Sequence, residues 1–121
     1  MKLALAALPL ALIAAPASAE VNAFSKREIA YQVLGAVDAA QTCTFIRTGR
    51  AAEANPIAIA VFGSDQPSCG QVIAFKLVGG ALHWVIASEI NKRDPKAAKW
   101  FQIATIVVQG SVVAANLRFV F

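Results

Sequence analysis

Three ionisable side chains inside long apolar runs are the residues of this chain that could do chemistry: Asp38, Lys76 and His83. Lys76 and His83 are seven residues apart, so a helix would present them on one face. An ionisable group inside a membrane-spanning helix is costly and is usually paired or functional. The set predicts either a proton or ion relay, or a buried Asp38–Lys76 pair that fixes the register of two helices. We favour the structural pair because a transport path normally contains more than one acid at depth, and we expect His83 to be a hydrogen-bonded core residue.

The spacing of the other reactive residues disfavours metal binding and nucleophilic catalysis. The residues considered as metal ligands are Cys43, Glu53, Cys69 and His83. They form no C-x-x-C, no H-E-x-x-H and no pair of histidines, whereas a metal site needs three or four suitably spaced ligands. The serines lack a G-x-S-x-G context, and the glycine pairs lack a phosphate-loop frame. We therefore expect no catalytic residue, no metal and no cofactor, and the chain is predicted not to be an enzyme.

The composition of the chain favours a membrane protein. Its 121 residues are 58% hydrophobic and 15% charged, with a mean hydropathy of +0.60. A soluble domain is usually about half apolar and about a quarter charged. The net charge is +4, and the basic residues flank the apolar runs instead of forming a stripe interleaved with aromatic residues. Flanking cations are typical of the ends of membrane helices, so the expected partner is the lipid bilayer and not nucleic acid.

Residues 1–19 have the pattern of a secretory signal sequence. Lys2 precedes a short apolar core, and Ala17-Ser18-Ala19 fits a small-residue cleavage site. Cleavage would leave a single helical membrane domain over residues 20–121. An uncleaved first anchor is the alternative, since short apolar cores are sometimes retained.

Three hydrophobic helices are predicted to follow. They cover about residues 25–48, 68–91 and 96–117. Ser25-Lys26-Arg27-Glu28 is expected to be the capping box of the first helix, with Glu28 reaching back to Ser25. Residues 29–46, between this box and Arg47, contain Asp38 as their only charged residue. This run is long enough to span a bilayer. The predicted fold is all-α, an up-down-up bundle that is expected to be transmembrane.

A seven-residue polar repeat marks one face of the third helix: Gln102, Gln109 and Asn116. An unsatisfied amide in hydrocarbon costs several kcal/mol, so this stripe should face the other helices. Replacing Gln109 with leucine is then expected to loosen the packing. The predicted buried polar core consists of Asp38, Thr42, Lys76, His83, Gln102, Gln109 and Asn116.

The connection between the first two helices contains the best-marked turn of the chain. Glu53 precedes Asn55-Pro56, which fits a helix N-cap followed by proline at the first helical position. The apolar residues 57–62 that follow are too few to span a membrane, so we expect them to lie at the interface or tuck back.

Cys43 and Cys69 fall near the same end of the antiparallel hairpin formed by the first two helices. A disulfide between them is one expectation if that end is extracytoplasmic, and two free thiols are the other. Spacing alone does not decide between them.

Several short motifs together carry a resemblance. They are Asp38-x-x-Gln41-Thr42, Glu53-x-Asn55-Pro56-Ile57, Gly63 with Pro67-Ser68, and Trp100-Phe101-Gln102-x-x-Thr105-Ile106 followed by Asn116. The chain resembles a group of small, signal-bearing, three-helix proteins of proteobacteria and their phages, and it is similar to a bacterial membrane domain of unknown function. The stretch 57–62 is longer than in that pattern. The resemblance implies a location in the bacterial inner membrane and a helical architecture, and it implies no activity.

The basic residues conflict with a cleaved signal. If the mature N-terminus lies outside, six basic residues lie in outer segments and three inside, the reverse of the positive-inside rule. The outer set is Lys26, Arg27, Lys92, Arg93, Lys96 and Lys99, and the inner set is Arg47, Arg50 and Arg118. Either an inverted topology with an uncleaved first segment or an exported bundle that does not span would remove the conflict.

Two classes of function follow from these alternatives. The first is a multi-pass inner-membrane protein with a structural, accessory or holin-like role, acting as a homo-oligomer or with a protein partner. The second is a soluble or membrane-peripheral bundle in the periplasm that acts as an interaction module.

Overall fold

Three long helices make up most of the computed structural model, which describes residues 22–48, 57, 60, 61, 63 and 67–120. They are α1 (Ala23–Thr48), α2 (Cys69–Arg93) and α3 (Pro95–Val120). These residues contain no strand. For the residues that the structure describes, the prediction of an all-helical fold with three helices is confirmed, and each helix bound lies within three residues of the expected one.

The start of α1 differs from the prediction. Asn22 Oδ1 accepts a hydrogen bond from the Ser25 amide at 2.8 Å, so Asn22 and not Ser25 caps the helix. The predicted capping box of Ser25 and Glu28 is therefore wrong. Glu28 is instead buried, at 5% exposure, and its carboxylate is free to bind partners on the other helices.

The other two helices begin as their local sequence predicts. At α2, Gln71 N donates to Ser68 Oγ at 3.1 Å and Ser68 N donates to Gln71 Oε1 at 2.8 Å, which is a complete capping box. At α3, Asp94 Oδ1 accepts from the Lys96 amide at 3.1 Å, and Pro95 occupies the first helical position. Asp94 alone separates α2 from α3, and the contact of His83 with Thr105 shows that the two helices fold back against each other.

Contacts between the helices establish an up-down-up arrangement. Between α1 and α2 the paired residues run in opposite directions along the chain: Glu28–His83, Gln32–Gly80, Asp38–Lys76 and Cys43–Cys69. Between α1 and α3 they run in the same direction, from Arg27–Gln102 at one end to Asp38–Asn116 nearer the other. The N-terminal end of α1 therefore lies beside the turn between α2 and α3, and the disulfide lies at the opposite end.

The outward faces of α2 and α3 are apolar. Their exposed large hydrophobic residues are Leu77, Val78, Leu82, Trp84, Val85, Ile86, Trp100, Val107, Val108, Val112 and Leu117. The buried apolar residues are mostly small: Ala39, Cys43, Phe45, Val72, Ala87 and Ala98. This distribution is the inverse of a helix bundle in water, which turns its apolar stripes inward. By length and composition, Cys69–Arg93 and Pro95–Arg118 could each span a membrane.

We expect Gly80→Ala to disturb the contact between α1 and α2, whereas Gly79→Ala should leave it intact. A Cβ on Gly80 would lie 2.5 Å from Gln32 Oε1, but a Cβ on Gly79 would meet nothing within 4 Å. The Gln32 amide would have to shift, which would disturb its hydrogen bonds to Gly80 O and Glu28 Oε2, now 2.9 and 2.8 Å long.

Both substitutions remove the same intrinsic helix penalty of glycine, about 1 kcal/mol, so their difference isolates the Gln32 contact. The melting temperature in detergent should be lower for Gly80→Ala than for Gly79→Ala. Equal melting temperatures would mean that the Gln32 hydrogen bonds contribute no stability.

Candidate functional site

A buried polar cluster surrounds His83 where the three helices meet. Its members, here called the His83 cluster, are Glu28, Gln32, His83, Gln102 and Thr105. His83 Nδ1 lies 3.0 and 2.9 Å from the two oxygens of Glu28, and His83 Nε2 lies 2.7 Å from Thr105 Oγ1. His83 and Glu28 are each 5% exposed, so this pair is largely removed from solvent.

The Glu28 carboxylate binds side chains of both neighbouring helices as well as its own. Besides its contact with His83, it accepts from Gln32 Nε2 at 2.8 Å and from Gln102 Nε2 at 3.2 Å. Gln102 is fully buried, and its Oε1 accepts from Arg27 Nε at 2.8 Å. A buried charge needs such partners to offset its desolvation, and here they come from α1, α2 and α3 together.

Two aromatic rings fix the orientation of the imidazole. The His83 ring stacks on Tyr31 of α1 with ring centroids 3.5 Å apart and an interplanar angle of 10°. On its other neighbour, Phe101 of α3, the centroids are 4.9 Å apart at an angle of 23°. The ring is thus held by packing as well as by its two hydrogen-bonded nitrogens.

The hydrogen bonds of the His83 cluster fit either protonation state of the imidazole. With Glu28 ionised, His83 Nδ1 carries a hydrogen and donates it to the carboxylate. A neutral imidazole can then accept at Nε2 from the Thr105 hydroxyl. A charged imidazole can donate from Nε2 to Thr105 Oγ1, while that hydroxyl donates to Phe101 O at 3.0 Å. Both protonation states are satisfied by the same positions of the heavy atoms.

The order of carboxylate, imidazole and hydroxyl is also that of a nucleophilic triad. Thr105 Oγ1, however, lies 3.0 Å from the carbonyl oxygens of both Phe101 and Gln102, so its hydroxyl has acceptors on its own helix. The described residues contain no group of three His, Cys, Asp or Glu side chains that could hold a metal ion. What the observed hydrogen bonds of the cluster do is join the three helices.

A second polar cluster lies nearer the disulfide end of the bundle. It is called the Asp38 cluster and consists of Asp38, Gln41, Thr42, Lys76 and Asn116. Lys76 Nζ lies 2.5 Å from Asp38 Oδ2, and Asn116 Nδ2 donates to Asp38 Oδ1 at 2.8 Å. The Asp38 side chain is 8% exposed and that of Lys76 is 26% exposed, so the lysine reaches towards the surface.

The hydrogen bonds of Gln41 complete this cluster. Gln41 Oε1 accepts from Asn116 at 3.1 Å, and Gln41 Nε2 donates to Val113 O at 3.2 Å. Thr42 Oγ1 lies 3.4 Å from Asp38 Oδ1, one turn further along α1. Like the His83 cluster, the Asp38 cluster joins all three helices.

A disulfide closes the far end of the hairpin formed by α1 and α2. Cys43 and Cys69 are bonded, with their Cα atoms 5.1 Å apart. Cys43 is fully buried and packs with Ala39 and Val72. Of the two expectations for these cysteines, the structure contains the disulfide.

The structure divides the predicted polar core between the two clusters. Asp38, Thr42, Lys76 and Asn116 come together in one, and His83 and Gln102 in the other. Gln109 belongs to neither, and its Nε2 is buried with no hydrogen-bond partner in the part of the chain that the structure describes. The loop motif of Glu53, Asn55 and Pro56 lies outside the described residues.

Sequence reasoning missed Glu28 because the residue was assigned to a capping box. The signal that identifies it is the spacing of Glu28, Tyr31, Gly35, Asp38 and Thr42, which alternates between three and four residues. Such spacing places all five positions on one helical face, so Glu28 and Asp38 are both expected at depth.

We expect Gln109→Leu to leave the stability unchanged or to raise it, the reverse of the expectation from the sequence. Its unpaired buried amide costs about 1–3 kcal/mol, and leucine would remove that cost. Gln102→Leu is the matched control, since the same substitution seven residues earlier deletes the bonds to Arg27 and Glu28. Only Gln102→Leu should lower the melting temperature in detergent, and an equal fall for Gln109→Leu would contradict the assignment.

Comparison of the chain with protein-family models, with curated proteins and with solved structures found no match. The resemblance to small proteins of proteobacteria and their phages accordingly stays a prediction. The two polar clusters and the apolar outer surface are the features of the described residues that bear on function.

Proposed function

We propose that the chain is a small multi-pass membrane protein whose three helices cross the bilayer with their polar groups turned inward. The observation that carries the proposal is the contrast between the interior and the outer surface. The buried polar and charged residues are Glu28, Asp38, Gln41, His83 and Gln102, whereas large apolar side chains cover the outside of α2 and α3. Hydrocarbon around the bundle accounts for both halves of this contrast.

The outer surface is costly in water. Trp84 and Trp100 are 56% and 57% exposed, and Val107 and Val108 next to each other on α3 are 61% and 65% exposed. Monomeric soluble proteins rarely expose contiguous apolar patches larger than a few hundred Å². Contact with lipid acyl chains would remove that cost, and bilayer insertion therefore fits this surface better than free solution.

The role that fits best is structural or accessory, in the bacterial inner membrane implied by the resemblance. A single buried acid was the reason to prefer a structural pair over a relay, and Glu28 is a second acid at depth. The structural interpretation now rests on pairing, because Glu28 binds His83 and Asp38 binds Lys76 within separate clusters. Within the described part of the chain, no hydrogen bond joins the two clusters. A holin-like role belongs to the same class and would use the same outer surface for self-assembly.

Alkaline carbonate extraction of membranes tests this proposal. We expect the protein to stay in the membrane pellet after both a high-salt wash and carbonate treatment, as integral proteins do. Release into the supernatant by carbonate would overturn the proposal.

The second candidate is an exported peripheral bundle that acts as an interaction module. One observation favours it: of the three helices, only α2 and α3 are apolar enough to span a membrane by composition. In that case a protein partner or a second copy of the chain would cover their outer faces. Carbonate release together with cross-linking to that partner would support this candidate.

A further inference from the structure

We propose that the turn between α2 and α3 binds the anionic phospholipid headgroups of the cytoplasmic leaflet, with the disulfide end of the bundle facing outside. This inference rests on the proposed membrane function and adds to it a lipid partner and an orientation. It is carried by the charges at the turn, by the aromatic residue beside them, and by the position of the disulfide.

Exposed cations concentrate at one end of the bundle. The turn itself contributes Lys92, Arg93, Lys96 and Lys99, all exposed. Because α1 runs parallel to α3, its N-terminal residues Lys26 and Arg27 lie at the same end. Among the described residues, the exposed basic residues of the opposite end are Arg47 and Arg118, and Lys76 in the same half is paired with Asp38.

The acidic side chains at this end already have partners within the protein. Glu89 binds Lys92 at 2.8 Å, Asp94 caps α3 through the Lys96 amide, and Glu28 is buried against His83. The surplus charge of the turn is therefore positive. A polybasic segment next to a membrane helix attracts anionic lipids, with about 1 kcal/mol for each basic residue near the surface.

Trp100 lies next to the basic residues of the turn, at the edge of the apolar surface. It is 57% exposed, and the Lys99 ammonium lies 5.7 Å from the centre of its ring. Tryptophan is enriched at the headgroup level of bilayers, and a neighbouring lysine can lay its stem on apolar surface while its charge reaches the headgroups. Further along α3, Val107 and Val108 continue the exposed apolar face towards the other end. Charge, tryptophan and apolar belt thus follow one another in the order of headgroups, interface and acyl chains.

The disulfide gives an independent indication of orientation. Cys43 and Cys69 are bonded at the end opposite the basic turn, and disulfides persist in compartments outside the cytoplasm. The excess of lysine and arginine at the turn marks the cytoplasmic side by the positive-inside rule. Both observations assign the same orientation, with the turn inside and the disulfide outside. In this orientation the basic residues at the turn and at the start of α1 lie inside, so the conflict with the positive-inside rule does not arise.

Labelling of right-side-out spheroplasts with a membrane-impermeant maleimide tests the orientation. Lys96→Cys and Arg118→Cys each replace one exposed cation, at opposite ends of the bundle, and the native cysteines are protected in their disulfide. We expect Arg118→Cys to be labelled at once, and Lys96→Cys only after the membrane is opened. The reverse pattern in a carbonate-resistant protein overturns the orientation alone. Labelling of both variants in closed spheroplasts, with release by carbonate, overturns the membrane function as well.

Fluorescence quenching in vesicles tests the lipid partner. The protein with Trp84→Phe keeps Trp100 as its single tryptophan and is reconstituted in phosphatidylcholine containing phosphatidylglycerol, one of the two lipids being brominated. We expect brominated phosphatidylglycerol to quench Trp100 more strongly than an equal mole fraction of brominated phosphatidylcholine. Lys96→Gln and Lys99→Gln should each reduce this preference about fivefold.

The matched control for the lipid experiment is Arg47→Gln with Arg118→Gln, which removes two cations at the disulfide end. These substitutions should leave the preference of Trp100 for the anionic lipid unchanged. Equal quenching by the two lipids in the otherwise native chain would overturn the proposal. So would a loss of preference as large in the control as in the lysine variants.

Discussion

Glu28→Ala should prevent the protein from accumulating in the membrane, with a loss of about 3–5 kcal/mol of stability. The substitution leaves the buried His83 and Gln102 without the carboxylate that both now contact. Gln32 would lose its acceptor in the same step. Because Glu28 binds partners on α2 and α3 together, its removal weakens the packing of all three helices and not of one pair. The level of the protein in isolated membranes and its melting temperature in detergent measure the effect.

Glu89→Ala is the matched control for this experiment. Glu89 is the acid of an exposed pair with Lys92, whose side chains are 53% and 71% exposed. Such a surface pair contributes only about 0–1 kcal/mol, so this variant should accumulate normally. A loss of stability for Glu28→Ala as small as that for Glu89→Ala would mean that Glu28 acts as a surface charge. The His83 cluster would then not hold the bundle together.

Helix bounds were predictable where the signals are local. The Ser68 and Gln71 capping box and the Asp94-Pro95 pair lie within a few residues of the helix ends that they define. Each uses hydrogen bonds between near neighbours, so no knowledge of the tertiary structure is needed to recognise it. The N-terminus of α1 was mispredicted because Asn22 and Ser25 are both favourable capping residues. The side chain that decides between them is Glu28, whose partner His83 is 55 residues away.

The polar interior was predictable as a face but not as a set of pairs. The seven-residue repeat of α3 correctly predicted that Gln102 and Asn116 face the other helices, where they bind Glu28 and Asp38. The same repeat gave no reason to separate Gln109 from them, although its amide nitrogen lacks a partner among the described residues. Periodicity determines which side of a helix is inside, whereas the depth at which each side chain meets its partner depends on how far the helices are offset. That offset is a tertiary property.

The pair of Asp38 and Lys76 should show strong coupling in a double-mutant cycle. Asp38→Ala should cost about 3–5 kcal/mol, because Lys76 and Asn116 both lose the carboxylate at the centre of their cluster. Lys76→Ala should cost less, since the lysine side chain is 26% exposed and Asp38 keeps its bond from Asn116. The geometry therefore predicts a larger loss of stability for Asp38→Ala than for Lys76→Ala.

Replacing both partners with apolar residues of similar volume should restore much of the stability. In Asp38→Leu with Lys76→Met no uncompensated charge is left, and a buried ion pair replaced in this way is often neutral or stabilising. The Asn116 amide would still donate to Gln41 Oε1 at 3.1 Å, so the third helix keeps a bond to α1. Detergent melting temperatures of the four proteins in the cycle give the coupling energy. If the double variant is as unstable as the sum of the two single variants, Lys76 is not the partner that Asp38 needs. The carboxylate would then depend on Asn116 and Thr42, and an acid held by neutral groups alone would again favour a proton-accepting role at this depth.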